Sequence, residues 1–427
     1  KNISSFSTII FLENNMQRSF GNIEENKLVG KRMKKALIVT HVSGFLIKFC
    51  MNDVEILQKM GYEVHYASNR NEKGYLYEET QLSEHNIIFH HVDIVKSPYM
   101  FRMNYHALKQ LIQIVNEEDI QLIHCHTPVG GMLGRLAGRF CSLEKKPKVI
   151  YTAHGFHFFK GAPLLNNTIF YTVEKLLAFF TDTLVVINEE DYRSARKLHL
   201  KRGGRVYKMP GVGIDRQKFL PAEEEEKRSI RKKFQIPQDA FLVLSVGELN
   251  ENKNHKVILD AIQKIKKREE ETGRRENIYY GICGDGFFRD EIRDYARRLG
   301  ISSKVFFWGY CSEIRQYYAM ADLTIFPSIR EGLGMAGIES LAMGIPVLAA
   351  DNRGTREYMV NGKNGFVYDH KDADGFLRGI YSIKNMDPED LQQMKKYCQD
   401  SVEKFDTKYA RQILEKVYKD TERAMQK

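Results

Sequence analysis

Along the chain, short apolar runs alternate with longer segments whose apolar residues recur every three or four positions. The first series of runs is ALIVT (36–40), YEVHYAS (62–68), NIIFHHV (86–92), IQLIHCH (120–126), KVIYTAH (148–154) and TLVVIN (183–188). Between them, MNDVEILQKMG (51–61) and YHALKQLIQIVNEE (105–118) carry helical spacing. Apolar strands separated by helices predict a mainly parallel sheet covered on both faces. The stretch 206–239 interrupts the alternation with Pro, Gly and a run of Glu, and the connection between two units is expected near 208–215. Its EEEEKRSIRKK segment reads as a solvated helix with opposed charges. A second series follows: FLVLSVG (241–247), NIYYGICG (277–284), KVFFWG (304–309), DLTIFPS (322–328), IPVLAA (345–350) and GFVYD (365–369). Helices are expected at 255–271, 290–300 and 409–425. The fold class is therefore α/β, with two doubly wound domains facing one another. Their bounds are set at 33–210 and 211–400, after an extension at 1–32 and before a closing helix at 401–427.

Composition sharpens this picture. The 427 residues exceed what one core usually serves, and a hydrophobic fraction of 43% excludes wholesale disorder. The net charge of +10 is modest for this length. Its basic clusters at 31–35, 145–148 and 193–205 lack the aromatic interleaving or metal spacing of nucleic-acid modules, so nucleic acid is not an expected partner. The cysteines Cys50, Cys125, Cys141, Cys283, Cys311 and Cys398 show no CxxC spacing, which points to reduced thiols and a cytoplasmic setting. No apolar run reaches the roughly 20 residues needed to span a bilayer, and Phe6–Leu12 resembles neither a signal peptide nor an anchor. HGFHFFKGAPLLNNTIFYTVEKLLAFF (154–180) is rich in large apolar groups beside basic ones. A buried packing helix is the favoured reading there. Shallow contact with an anionic membrane is the competing one.

Candidate chemistry concentrates in the second half. Strand DLTIFPS leads into Arg330-Glu331-Gly332-Leu333-Gly334, and MAGIESLAM then has helical character. Glycines let backbone amides approach an anion, and a helix start supplies unpaired N–H donors. Glu331 and Glu339 place two carboxylates around a long polar ligand. SVGELNENKN offers Lys253 to a phosphate, and GICGDGFF offers Gly284 and Gly286 at another strand-to-helix junction. Together these favour a phosphorylated small molecule. Neither GxxxxGK[ST] nor an opening GxGxxG is present, which disfavours a nicotinamide dehydrogenase. In the first half, Gly44 permits close approach and His154 lies just beyond a strand, where a neutral imidazole can donate to a sugar hydroxyl. A structural histidine bonded to loop backbone is the alternative. His157 is less persuasive. His124 and His126 look like a metal pair without an evident third ligand, and Asp372 and Asp374 form a DxD spacing outside the glycine loops. Both are read as structural, and no metal is expected.

These residues resemble family 4 of the retaining glycosyltransferases, which have the GT-B fold, over about 34–424. The most specific feature is the E-x7-E arrangement in EGLGMAGIE, supported by SVGELNENKN, CGDGFFRDE and PSIREG. The first half is similar to bacterial capsule, exopolysaccharide and lipid-linked glycan transferases through CHTPVGGMLGRLAG, YTAHGFHFFKGAP, TDTLVVINEEDY and MPGVGIDRQKF. The resemblance implies two Rossmann-like domains across a cleft, the first binding acceptor and the second donor, with the last helix returning to the first domain. It implies that Glu331 binds donor-sugar hydroxyls, with amides of Gly332, Leu333, Gly334 and Met335 on sugar or diphosphate. Glu339 would hold the ribose and Lys253 the diphosphate. Gly44 would approach the diphosphate, and His154 would orient the reacting centre. Gly309, Tyr310 and Cys311 would meet the nucleobase.

One residue departs from the family pattern: Glu248 stands where many members have Arg, and a carboxylate opposes a diphosphate. The favoured resolution is that Glu248 turns away while Lys253 works with Arg330. The implied reaction moves a hexose or N-acetylhexosamine from a nucleoside diphosphate sugar, UDP first and GDP second, without a metal. The acceptor favoured is an undecaprenyl-diphosphate-linked glycan, met at the inner face of the plasma membrane. A non-hydrolysing sugar-nucleotide epimerase and a catalytically silent glycan or nucleotide binder are the alternatives.

Overall fold

The computed structural model describes residues 33–72, 74 and 80–425; the extension 1–32 and its Phe6–Leu12 segment lie outside the described residues. Thirteen strands are described: β1 Lys34–Val42, β2 Tyr62–Asn69, β3 Ile87–His91, β4 Leu122–His126, β5 Lys148–Ala153, β6 Thr183–Val186, β7 Arg205–Lys208, β8 Phe241–Val246, β9 Ile278–Cys283, β10 Val305–Gly309, β11 Leu323–Phe326, β12 Val347–Ala350 and β13 Gly365–Tyr368. They form a 7-stranded sheet of order β3-β2-β1-β4-β5-β6-β7 and a 6-stranded sheet of order β10-β9-β8-β11-β12-β13. Every pairing is parallel. All twelve apolar runs are strands. The sequence reading missed β7, whose RVYK has no fully buried residue and so little apolar signal.

The central strands are buried on both faces, as Leu37, Ile38 and Val39 of β1 and Leu242, Val243 and Leu244 of β8 show. Helices must therefore cover both faces of each sheet. The chain crosses between the sheets twice, and the crossings bond to each other. Ile214 N–H donates to Phe405 C=O at 2.8 Å, and Thr407 N–H donates to Ile214 C=O at 3.0 Å.

The last helix, Thr407–Arg423, returns to the first sheet as the resemblance implied. Tyr418 is buried there, with its hydroxyl 2.7 Å from Asp53 Oδ1 and 2.6 Å from His124 Nδ1. Tyr207 donates to Asp420 at 2.7 Å, and Thr183 and Thr421 hydroxyls meet at 3.0 Å.

The helix Leu164–Ala178 corrects one expectation. Only Leu177 and Ala178 are buried, while Leu164 is 85%, Leu165 71% and Leu176 59% exposed. It is not a buried packing helix. Its neighbour Pro128–Phe140 exposes Phe140, and the next helix along, Phe101–Glu117, exposes Phe101 and Tyr105. Among the described residues, no helix is long and apolar enough to cross a membrane.

Candidate active site

In doubly wound sheets the ligand crevice lies beyond the strand C-termini where strand order reverses. The second sheet reverses at β8/β11 and the first at β1/β4. Lys253 follows β8 and Glu331 follows β11, and Lys253 Nζ lies 2.5 Å from Glu331 Oε1. The two loops are stapled by Asn252: its C=O accepts from Ile329 N–H at 2.8 Å, and its amide meets Arg330 C=O at 3.0 Å and Arg330 N–H at 3.1 Å. Lys253 closes a short turn whose Asn250 cap accepts the Lys253 N–H at 3.1 Å. The sequence pairing of Lys253 with Arg330 thus appears as adjacency of their loops, with Glu331 as the direct partner of Lys253.

Glu339 lies on the helix Met335–Ala342 and accepts from Tyr318 Oη–H at 3.1 Å. Burial raises its pKa, against the Tyr318 hydrogen bond and the attraction of Lys48 and Lys218. Lys48 belongs to Gly44–Phe49, the helix that follows β1 in the facing domain, so its field reaches Glu339 across the cleft. Gly44 begins that helix and is buried.

The glycines divide by cause. Gly334 caps the helix at φ +87°, a left-handed conformation. Gly332 sits where a Cβ would stand 1.8 Å from His154 C=O, so the two domains touch backbone to backbone. Gly284 and Gly286 are required by packing: a Cβ would meet Gly247 C=O at 1.8 Å and Leu249 C=O at 2.5 Å. Leu333 is buried, which leaves only its backbone for a ligand; Met335 opens the helix. Gly309 has φ +70° and its C=O accepts Gly284 N–H at 2.7 Å; Tyr310 is exposed, and the neighbouring Cys283 thiol lowers the pKa of Cys311. Glu248 is exposed, its carboxylate accepting from Asn250 Nδ2 at 3.0 Å.

His154 immediately follows β5 and stands edge-on to Phe45, ring centroids 5.2 Å apart. Burial pushes its pKa down to about 4, so the imidazole is neutral at physiological pH. Its Nε2 lies 3.2 Å from His126 Nδ1. Ligand atoms of Cys50, Asp53 and His126 all lie within 4.8 Å of one another, a group that leaves out His124. Those groups form a hydrogen-bonded network, with His124 Nε2 2.8 Å from Thr152 Oγ1 and Nδ1 3.1 Å from Asp53. The two histidines are buried, and His126 lies next to His154. His157 packs on Phe170 instead. Asp372 is a helix cap that accepts Gly375 N–H at 2.7 Å, and Asp374 pairs with Lys264 at 2.5 Å, so the DxD spacing is structural.

The sequence reading missed the groups that join the domains. Arg353 Nη1 lies 2.7 Å from Asp191 Oδ1 with both side chains buried, and its Nη2 donates to Phe156 C=O at 2.5 Å. Asn188 Nδ2 donates to Gly332 C=O at 2.9 Å, and Lys208 pairs with Glu357 at 3.0 Å. Beside this contact lies a cavity of about 910 Å³ lined by Phe158, Phe159, Tyr171, Lys160, Arg193 and Arg356, among others.

Residues 226–401 match the family described as Glycosyl transferases group 1, and residues 34–188 match Glycosyl transferase 4-like. The chain is 37% identical over 350 residues to EpsD of Bacillus subtilis, assigned as a glycosyltransferase, covering 82% of this chain and 87% of that one. It is 24% identical over 298 residues to an Escherichia coli UDP-Gal:alpha-D-GlcNAc-diphosphoundecaprenol alpha-1,3-galactosyltransferase, covering 69% and 74%. The solved structure of Anabaena HepE in complex with UDP-glucose aligns with TM-score 0.71 at 18% identity, covering 90% of this chain and 99% of that one.

Proposed function

Because the chain belongs to the group 1 glycosyltransferases and has their GT-B fold, we propose that it transfers a hexose or N-acetylhexosamine from a UDP-sugar, with retention, to a polyprenyl-diphosphate-linked glycan. The observation that carries this reading is the Lys253–Glu331 pair at the β8/β11 reversal, which a backbone contact at Gly332 joins to the His154 loop. Membership in a transferase family selects group transfer over the epimerase and the silent binder.

In the proposed reaction the acceptor hydroxyl oxygen attacks the anomeric carbon as the bond to the diphosphate breaks. The hydroxyl proton passes to the departing phosphate oxygen. Glu331 holds sugar hydroxyls, and Glu339 holds the ribose. Lys253 and the amides at Gly334 and Met335 take up the leaving charge, so that a fixed cation and a helix start stabilise what develops in the transition state. The neutral His154 donates to a donor-sugar oxygen. Gly44 brings its helix close to the diphosphate, and Gly309, Tyr310 and Cys311 meet the base mainly through backbone. No metal is assigned a role, which predicts that transfer persists in EDTA.

UDP is favoured because the HepE structures hold UDP and UDP-glucose, and a lipid-linked acceptor because the E. coli relative is named for one. The exposed Leu164, Leu165 and Leu176, with Lys175 and Arg139 nearby, suit an anionic membrane at its cytoplasmic face, where such an acceptor would be met. The cavity beside that helix combines aromatic faces with cations and with the carboxylates Glu189, Glu190 and Glu357, a lining suited to the hydroxyls of a glycan.

The test is a screen of UDP- and GDP-linked glucose, galactose and their N-acetylamino forms against undecaprenyl-diphosphate-linked glycans. Product NMR then reads the anomeric configuration. Transfer from UDP-sugar with retention is expected; transfer confined to GDP-sugars, or an inverted product, overturns the corresponding part.

A further inference from the structure

The cavity beside the Arg353–Asp191 contact takes no part in the reaction steps set out above. Its volume of about 910 Å³ leaves room for more than one sugar ring. Phe158, Tyr171 and Ser194 reach it from the first domain, and Arg353, Arg356 and Glu357 from the second, so it is complete only while the two are joined. One loop connects it to the reacting centre: the chain leaves β5 at His154 and reaches the cavity wall at Phe158, Phe159 and Lys160. Arg353 bridges the same interval. Its Nη2 donates to Phe156 C=O at 2.5 Å, and its Nε lies 3.4 Å from Glu331 C=O.

Most charge around the cavity is already matched. Arg193 pairs with Glu189 at 2.9 Å, Arg353 with Asp191 at 2.7 Å, and Arg356 with Asp351 at 2.7 Å. A strongly charged ligand would have to break such pairs, whereas a neutral polar one can bond beside them. The groups left for it are of the right kind. Tyr171 Oη and Ser194 Oγ hydrogen-bond to no protein group among the described residues, and Lys160 Nζ has no ion-pair partner there. Glu190 accepts Lys160 N–H at 3.0 Å through one oxygen and keeps lone pairs for a hydroxyl. Tyr171 is held at right angles to Phe158, centroids 5.3 Å apart, and remains 36% exposed. A sugar ring offers C–H groups to an aromatic face and hydroxyls around its rim, which is the complement of this lining.

The helix Leu164–Ala178 sets the direction of entry. Asn167, Thr168 and Tyr171 line the cavity, while Leu165, Ile169, Val173 and Leu176, recurring every three or four residues, form an exposed apolar stripe on another side. We propose that the cavity is a remote subsite for the acceptor glycan, seating sugar rings nearer the lipid than the one that receives transfer. Tyr171 is its stacking platform, and Lys160, Ser194 and Glu190 bond the hydroxyls. This rests on the reading of the protein as a transferase acting on lipid-linked glycans. Rings held there do not react, so their binding serves to place the acceptor end at His154 and Glu331, and the rate must then depend on glycan length.

The test uses short-chain lipid-diphosphate acceptors carrying one, two or three sugars drawn from glucose, galactose and their N-acetylamino forms, with the best UDP-sugar as donor. In the wild-type chain kcat/KM should rise at least ~10-fold from one sugar to three. Tyr171→Ala, which removes the platform, and Ser194→Trp, which fills the cavity, should each cut that rise to ~2-fold or less, and Tyr171→Phe should keep most of it. Circular dichroism and thermal unfolding establish that the variants are folded. Saturation-transfer NMR with the free three-sugar glycans reads the cavity without any transfer, and is expected to show binding to wild type that Tyr171→Ala loses. A rate indifferent to glycan length, a rise retained in folded Tyr171→Ala and Ser194→Trp, or no binding of the free glycans overturns the subsite and leaves the transfer reading standing. Absence of transfer to every acceptor, with the free glycans still bound by wild type and not by Tyr171→Ala, overturns the transfer reading and the acceptor role while the glycan site itself stands.

Discussion

Lys253 and Glu331 meet at 2.5 Å although 78 residues separate them, because β8 and β11 are neighbours and each delivers its loop to the same edge of the sheet. Charge at the donor site is thus balanced before any diphosphate arrives. In the proposed reaction a bound diphosphate would draw Lys253 towards phosphate and free Glu331 for sugar hydroxyls.

That exchange makes Glu331→Gln informative. The amide keeps the shape but gives up an acceptor and the charge that holds Lys253. Transfer should fall roughly 10- to 100-fold, the scale of one charge-assisted hydrogen bond. Asp372→Asn should leave turnover near wild type, because that carboxylate caps a helix away from the pair. Initial rates with the best donor of the screen decide it, and the opposite ordering sinks the site assignment.

Gly332 carries the second prediction. An added Cβ would lie 1.8 Å from His154 C=O, and neither backbone can yield without parting the loops. Gly332→Ala should cost roughly 100-fold in kcat/KM, the effect of about an ångström of misplacement at a reacting centre. Each sheet's own core is untouched, so thermal unfolding should change little. A variant that folds and turns over normally would show that this contact is not needed.

The Arg353–Asp191 pair joins the domains in a buried setting, where removing one partner strands the other. Burial is the largest cause pushing the Asp191 pKa up and that of Arg353 down, Glu190 adds to the first and Arg330 to the second, and the pair's own attraction opposes both shifts. Arg353→Met should cost about 3–5 kcal/mol of the stability of the joined state, and Arg353→Met/Asp191→Leu should recover part of it. Denaturant unfolding across the four chains of this cycle measures the coupling. Strict additivity would count against the pair as a domain latch.

Much of this was legible in the sequence. Strands buried on both faces leave continuous apolar runs, so twelve were readable, while β7, whose short RVYK is flanked by cations and has no fully buried residue, was not. Lys253, Glu331 and Glu339 stand in local patterns that a strand–loop–helix junction explains. Asp191 lay within a segment that drew notice and Arg353 just after the IPVLAA strand, yet nothing local marks either as the other's partner across 162 positions. Their pairing is a property of how two sheets face each other. His126 was read as structural from its spacing to His124 alone, and its neighbours in space, Cys50 and Asp53, were not legible because they come from a different strand's loop. The exposed face of Leu164–Ala178 was misjudged for the same reason: composition shows an apolar helix but not which side is covered.

Stability should fall as pH drops below about 6.5, the ordinary histidine value. Burial lowers the pKa of His41 and His154 to about 4 and of His255 to about 3. Between 6.5 and those values the unfolded chain binds protons that the fold refuses, so unfolding is favoured as pH falls, and the effect levels off once the folded groups also titrate. For the fully buried His255 this amounts to about 2 kcal/mol at pH ~5. His255 Nδ1 lies 2.9 Å from Tyr280 Oη, and His255→Asn can retain that bond without titrating. Urea midpoints at pH ~7.5 and pH ~5 should therefore differ less in His255→Asn than in wild type; an equal difference would exclude His255 as a source.

The exposed helix Leu164–Ala178 makes the last prediction. Three leucines on one short helix, with Phe140 on the adjoining helix, present more apolar surface than scattered exposure explains, and exposed Lys175 and Arg139 lie among them. If this face meets lipid, each inserted leucine contributes up to about 1.5 kcal/mol and the cations add an attraction that salt screens. Leu164→Gln/Leu165→Gln/Leu176→Gln should therefore weaken sedimentation with phosphatidylglycerol vesicles by at least ~10-fold, and raised salt should weaken wild-type binding. The same variant should keep its rate on a water-soluble, short-chain acceptor, since no substituted residue touches Lys253, Glu331 or His154. Vesicle binding that is absent in wild type, or unchanged in the triple variant, would remove this helix from any account of how a lipid-linked acceptor reaches the cleft.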